Sequence, residues 1–214
     1  RKTGVFVAND IASFIEYVAK HQVDGISETW GDIEARTVTC VLNGHSSDKA
    51  GFGDHRVTLQ LKTTRQWMAW AAKDTKPMSL ADFANHIEDN LLDIVTPTSA
   101  DMLEMAQSFE ARGSSDFKQA TRLASGERQL TYQEKVEASA GRSGQLTVPE
   151  TFTLGLRPWQ GAELFEVNAR FRYRIANGTL TVCYLLNQPE LVLQTAFGDI
   201  LATLREVSNP PVYL

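Results

Sequence analysis

A chain of 214 residues and 23.8 kDa can bury a substantial core, and 43% hydrophobic with 22% charged residues is ordinary globular composition. No apolar run approaches the roughly 18 residues of a membrane span, and a net charge of -5 argues against a surface coated for duplex DNA. The two cysteines, Cys40 and Cys183, fall inside predicted strands, so a reducing, cytoplasmic setting is expected rather than a disulfide framework. The chain begins at Arg1 rather than Met, which leaves room for a preceding segment and for any signal it carried.

In chain order, Thr3 to Ala8 reads as a short strand, and Asn9 or Asp10 caps a helix whose Ile11, Phe14, Ile15 and Val18 recur at helical spacing. A polar stretch containing Trp30-Gly31 separates that helix from a strand at 35–42, where Val38, Cys40 and Leu42 alternate with polar residues. A second strand sets Val57, Leu59 and Leu61 against Arg56, Thr58 and Gln60. The turn-rich segment from Asn43 to His55 between them is too long for a tight hairpin and is the candidate functional loop.

Three helical segments follow. The first, at 64–72, spaces Trp67 and Trp70 three apart. The second is capped by Ser79, with Leu80, Phe83, Ala84, Ile87 and Leu91 as its apolar stripe. The third is introduced by Pro97 and Ser99 and buries Met102, Leu103, Ala106 and Phe109.

Strands are expected at 117–123, 129–136 and 146–156, with a loop at 137–144. A hairpin then turns at Asn177-Gly178, a pair that favours type I′ because both residues must accept positive φ. Its register sets Ile175, Tyr173, Phe171 and Ala169 opposite Leu180, Val182, Tyr184 and Leu186, and leaves Arg170, Arg172 and Arg174 together on the other face. Pro189 opens a final helix over about 189–207 with a broad apolar surface.

The class is α+β: antiparallel hairpins with a central cluster of helices and a C-terminal helix, taken as one domain over 1–214. Parallel βαβ alternation is not apparent. The helix-rich part at about 64–112 is acidic, with no Lys or Arg from Pro77 to Ala111, and the strand-rich part at 113–186 is more basic. Opposite patches on one chain favour docking within or between subunits.

Four groups of residues are candidates for function. Arg170, Arg172 and Arg174 form a possible anion-binding strip for a nucleotide or a single-stranded nucleic acid, with Tyr132, Trp159 or Tyr173 available for stacking. The alternative is that these arginines pair with acids such as Glu163 and Glu166, or face water. Val192, Leu193, Phe197 and Leu201 on the broad C-terminal helix are a candidate homo-oligomer interface, closing into a ring or shell if the contact repeats. Asp82, His86, Asp89 and Asp93, spaced four, three and four apart, could line one helix side and hold a divalent metal, or form a plain solvated face. His45, Asp48, Asp54 and His55 in the long loop could likewise approach one another. Gly51-Phe-Gly53 lacks the Lys-Ser/Thr of a phosphate loop, no catalytic motif is present, and neither a cofactor nor a membrane partner is expected. An enzyme is the less favoured reading.

Several phrases together resemble the YfdQ-like family of uncharacterised proteins from tailed phages and prophages. They are Ser13 to Val18, Trp67-Met-Ala-Trp70, Ala81 to Asn90, Val148 to Phe152, Ala169 to Arg174 and Pro210 to Tyr213. The resemblance implies a phage or prophage gene product in a bacterial cytoplasm, acting as an accessory protein, and carries no catalytic residues with it.

Overall fold

The computed structural model describes residues 1–108, 149–176 and 179–214. The expected strands at 117–123 and 129–136, the loop at 137–144, Phe109, Tyr132 and the turn at Asn177-Gly178 lie outside the described residues. The chain divides into two compact units, each assembled from separate stretches: Arg1–Trp67, Arg157–Leu164 and Glu190–Leu214 in the first, Met68–Leu156 and Phe165–Pro189 in the second.

The first unit is built on a five-stranded sheet of order β1-β4-β3-β2-β9. Its strands are β1 (Gly4–Ala8), β2 (Glu28–Asp32), β3 (Thr37–Val41), β4 (His55–Gln60) and β9 (Val212–Tyr213). Alternation does the sorting: Val38, Cys40, Leu42, Val57, Leu59 and Leu61 are buried, while Arg56, Thr58 and Gln60 point to the other face. Helix α1 (Ile11–His21) contributes Phe14 and Val18 to the core. It is held at its start by the Asp10 carboxylate, which accepts from the Ser13 N–H at 2.8 Å. The C-terminal helix α5 (Pro189–Val207) buries Ala196, Phe197, Ile200, Leu201 and Leu204. It comes so close to β2 that a Cβ on Gly31 would lie 3.1 Å from the Leu201 methyls. Only glycine fits there without repacking.

Two features of this sheet differ from the expected antiparallel pairs. β1 runs parallel to β4, and β2 runs parallel to β9. The polar stretch around Trp30-Gly31, which carried no expected element, is strand β2, paired antiparallel with β3.

The second unit is a four-stranded antiparallel sheet of order β5-β6-β7-β8, from β5 (Ile94–Thr96), β6 (Thr151–Leu156), β7 (Phe165–Ala176) and β8 (Thr179–Leu186). The β7–β8 register is the expected one, with Ala169, Phe171, Tyr173 and Ile175 facing Leu186, Tyr184, Val182 and Leu180. Helix α2 (Arg65–Ala71) spans the division between the units and carries Trp70 into this core. Helix α3 (Leu80–Asp89) starts at Ser79, whose Oγ accepts from the Asp82 N–H at 3.0 Å. A single 3₁₀ turn, Leu91–Asp93, follows it, and a fourth helix, α4, occupies residues 99–108 with Met102, Met105 and Ala106 inside. The chain is thus α+β, and no helix among the described residues is long and apolar enough to cross a membrane.

Candidate functional site: an arginine face and two histidine clusters

Strand alternation places Arg170, Arg172 and Arg174 on the side of β7 away from the core, and all three are exposed. Their cross-strand neighbours on β8 are Leu185, Cys183 and Thr181, and Thr151 of β6 faces Arg170, so no acid sits directly opposite. Among the described residues the one ion pair joins Arg1 to Asp54; Glu163 and Glu166 do not neutralise the row. Alternate strand positions repeat about every 6.8 Å, so three guanidinium forks are spread over one short ladder with their donors open to solvent.

The aromatics expected to stack beside this strip are not on it. Tyr173 alternates with the arginines and belongs to the opposite face, across from Val182, and Trp159 is buried in the core of the first unit. Among the described residues, an anion on this face meets charge and hydrogen-bond donors, not ring surfaces. Cys183 beside Arg172 is half-buried, and burial pushes its thiol pKa up despite the nearby guanidinium, so it is no activated nucleophile.

The acidic helix does not build a metal centre. Asp82 and Asp89 are exposed, whereas His86 is 3% exposed and Asp93 is buried, so the four do not share a solvent face. The helix ends at Asp89, and the 3₁₀ turn carries Asp93 off the four-residue ladder into the core. Among the described residues no three His, Cys, Asp or Glu side chains converge.

What His86 does join is a buried polar network inside the second unit. The Tyr184 hydroxyl donates to the Trp70 carbonyl at 2.6 Å and lies 3.2 Å from His86 Nε2. Since that hydroxyl proton is committed, Nε2–H is the donor to Tyr184 Oη, and Nδ1 accepts from the Asn90 side-chain amide at 3.2 Å. The Trp70 indole N–H donates to Asp93 Oδ2 at 2.9 Å. Burial holds the imidazole neutral and pushes its pKa down to about 4, with Lys73 adding to the shift and Asp89 opposing it. Burial likewise raises the Tyr184 phenol, with the Asp74 charge in support. Each polar group described in this network has a partner, which makes it part of the framework rather than a reaction centre.

The long-loop residues also part company. His45 Nδ1 accepts from the Gly51 N–H at 3.1 Å, Asp48 accepts from Ser46 at 2.8 Å, and Asp54 takes Arg1 and the Asn43 amide. The loop is strapped shut at a crossing where a Cβ on Gly51 would fall 1.7 Å from the Gly44 carbonyl oxygen. His55 turns inward and is buried, with Nε2 3.1 Å from the Tyr17 hydroxyl. Around it gather His21, whose ring lies 4.5 Å from that of Tyr17, and the half-exposed Phe6, 5.0 Å from the same ring. Lys2 donates to His21 Nδ1 at 3.3 Å. Partial burial and the neighbouring cations lower the His21 pKa. Sequence spacing gave no sign of this cluster, because its members come from β1, α1 and β4.

On the C-terminal helix, Phe197 and Leu201 are each 1% exposed within their own unit, so an interface on that helix cannot use them without unpacking the core. Val192 and Leu193 are half-buried and Leu191 is exposed. A cleft of about 290 Å³ lies between the end of α1 and residues 209–211, lined by Gln22, Asp24, Ser27 and Asn209 among others. The Ser27 hydroxyl in it is already engaged by the Leu42 carbonyl and the Val23 N–H.

Among the described residues, these features define a two-unit α+β protein with an open cationic strand face and histidines engaged in its packing. The model of an uncharacterized conserved protein family, DUF2303, matches residues 1–214, and the chain belongs to that family. No curated protein and no solved structure matches it.

Proposed function

We propose that this chain is a non-catalytic binding protein that takes the phosphate backbone of a single-stranded nucleic acid along Arg170, Arg172 and Arg174. The observation that carries the reading is the row itself: three exposed guanidinium groups on one strand face with no acidic partner among the described residues. Arginine forks match phosphate oxygens in pairs. With no aromatic side chain on the strip among the described residues, binding is backbone-directed and tolerant of base sequence. Mononucleotides bind less well than strands, since one phosphate group engages only part of the row. The phage or prophage setting and the bacterial cytoplasm implied by the resemblance belong to this proposal, as does an accessory rather than enzymatic role.

Fluorescence anisotropy with a labelled oligonucleotide at low salt tests it. The triple variant R170A/R172A/R174A should lose most binding and flatten the slope of log K against log salt by about 2, from three released counterions at about 0.7 each. Equal binding by the triple variant, or none by the unaltered chain, would sink the proposal.

A second reading is self-assembly into a homo-oligomer, a ring or shell if the contact repeats. On the C-terminal helix it is supported by the exposed Leu191 beside Val192 and Leu193. Replacing Leu191 and Val192 with Lys should reduce the particle mass in light scattering if that helix is the contact.

A further inference from the structure

Among the described residues the two sheets end in four edge strands, and three of them are blunted. β9 has two residues and follows Pro210-Pro211. β5 has three residues, a register irregularity against β6, and Pro97 immediately after it. The outer edge of β8 is capped by backbone: Met78 and Val182 exchange N–H to C=O bonds of 2.7 and 2.9 Å, and the Thr75 N–H reaches the Tyr184 carbonyl. Short strands, prolines, bulges and covers are the devices by which proteins prevent edge-to-edge pairing.

Among the described residues, β1 has none of them. It is five residues, Gly-Val-Phe-Val-Ala, with no charge, proline or bulge. Val5 is 68% exposed, Val7 62% and Phe6 44%, so the strand is apolar on both faces. Gly4 donates its N–H to the Asp54 carbonyl next to β4. Strand alternation therefore turns the N–H and C=O of Gly4, Phe6 and Ala8 toward β4, and those of Val5 and Val7 outward.

The geometry points to β1 as a self-pairing edge whose occupant is the β1 strand of a second copy, running antiparallel about a two-fold axis at Phe6. This rests on the self-assembly reading above and assigns its contact to the sheet edge instead of the C-terminal helix. The Phe6-centred register pairs all five strand residues. Val5 and Val7 of each copy exchange both backbone bonds with Val7 and Val5 of the other, and the two Phe6 rings meet across the axis. The outward N–H and C=O groups of Val5 and Val7 are their own complement about that axis, which selects a second copy in antiparallel alignment. Two five-stranded sheets become one continuous sheet of ten through an isologous contact that closes at a dimer.

Light scattering on the full chain should give twice the 23.8 kDa chain mass, and Val5→Lys with Val7→Lys should return it to one. Both positions are more than half exposed, so the double variant keeps its fold, checked by an unchanged circular-dichroism spectrum. Register is tested separately with Phe6→Cys in a Cys183→Ser background. A non-hydrogen-bonded pair holds its Cα atoms about 4.5 Å apart, within disulfide reach. Mild oxidation should then cross-link Phe6→Cys dimers, while Thr3→Cys, which faces Asn9, should not cross-link. If the unaltered chain is monomeric, the edge proposal and the self-assembly reading both fall. If the mass stays doubled in the Lys variant but halves when Leu191 and Val192 become Lys, assembly stands and the edge proposal is overturned.

Discussion

Each unit pairs a histidine with a tyrosine hydroxyl, at 3.2 Å for His86 and Tyr184 and at 3.1 Å for His55 and Tyr17, yet the two surroundings differ. In the second unit the pair is sealed: His86, Tyr184 and Trp70 are all buried, and each described polar atom is spoken for. In the first unit the pair leans toward solvent, with Tyr17 and His21 half-buried and Phe6 reaching the open edge of β1. The difference separates framework from surface. A buried network has no alternative partners when one is removed, so its polar groups set stability. The half-open cluster can borrow water, and its residues are free to serve contacts outside the unit.

The largest test of this contrast is truncation of the ring at each centre. Trp70 is fully buried, with its ring centroid 4.6 Å from His86 and 5.4 Å from Tyr184. Trp70→Ala should cost about 3–5 kcal/mol, from lost burial and the cavity left behind. It also removes the indole N–H that donates to Asp93 Oδ2. Phe6→Ala, at a half-exposed ring, should cost about 1 kcal/mol or less. Urea denaturation of both variants checks the pair, and similar losses would erase the distinction.

Acid is the next largest lever. In the unfolded chain His86 titrates near its ordinary 6.5, whereas in the folded protein it stays neutral until about pH 4. Between those values the unfolded state binds the extra proton, so stability is complete above about pH 6.5 and falls as the pH drops through the window. Some 2.5 units at 1.36 kcal/mol each sets the loss at about 3 kcal/mol by pH 4. Lys73 and Asp89 act on the ring with opposite signs, and neither changes the direction. His86→Gln should flatten the profile between pH 6.5 and 4, and by more than His21→Gln, whose partly exposed ring is shifted in the same direction. A profile equally steep in both variants would move the acid sensitivity elsewhere.

How much of this could be read from the residues depends on how local the determinant was. The β7–β8 pairing was fully legible, because adjacent segments of alternating residues fix their own register. The caps at Asp10 and Ser79 were legible for the same reason. The parallel β1–β4 pair was not: α1 and two strands intervene, and no local pattern encodes a partner so far along the chain. On α3 the stripe of Leu80, Phe83, Ala84 and Ile87 suggested that His86 faced water, but the buried arc is wide enough to include it. Its position three residues after Phe83, with Asn90 one turn on, was the available signal. Asp93 was assigned by helical spacing beyond the point where the helix stops. For the arginine row, alternation placed the residues, and only the three-dimensional neighbours could reveal the lack of acidic partners among the described residues.

The finest discrimination comes from removing one oxygen at each centre. Tyr184→Phe takes away the donor to the Trp70 carbonyl and the acceptor of His86 Nε2–H, leaving two buried polar groups without that partner. Unsatisfied buried groups cost about 1–3 kcal/mol, so a loss near 2 kcal/mol is expected. Tyr17→Phe removes the oxygen beside His55 Nε2, but Tyr17 is half-buried and water can take its place. A loss of about 0.5 kcal/mol follows, the low end for a net hydrogen bond. Thermal unfolding of the two single variants at pH 7.5, above the window in which His86 takes up its proton, checks the pair. If Tyr17→Phe proves the costlier of the two, the half-open cluster is structural after all, and the proposed role of its neighbouring edge strand loses the freedom it requires.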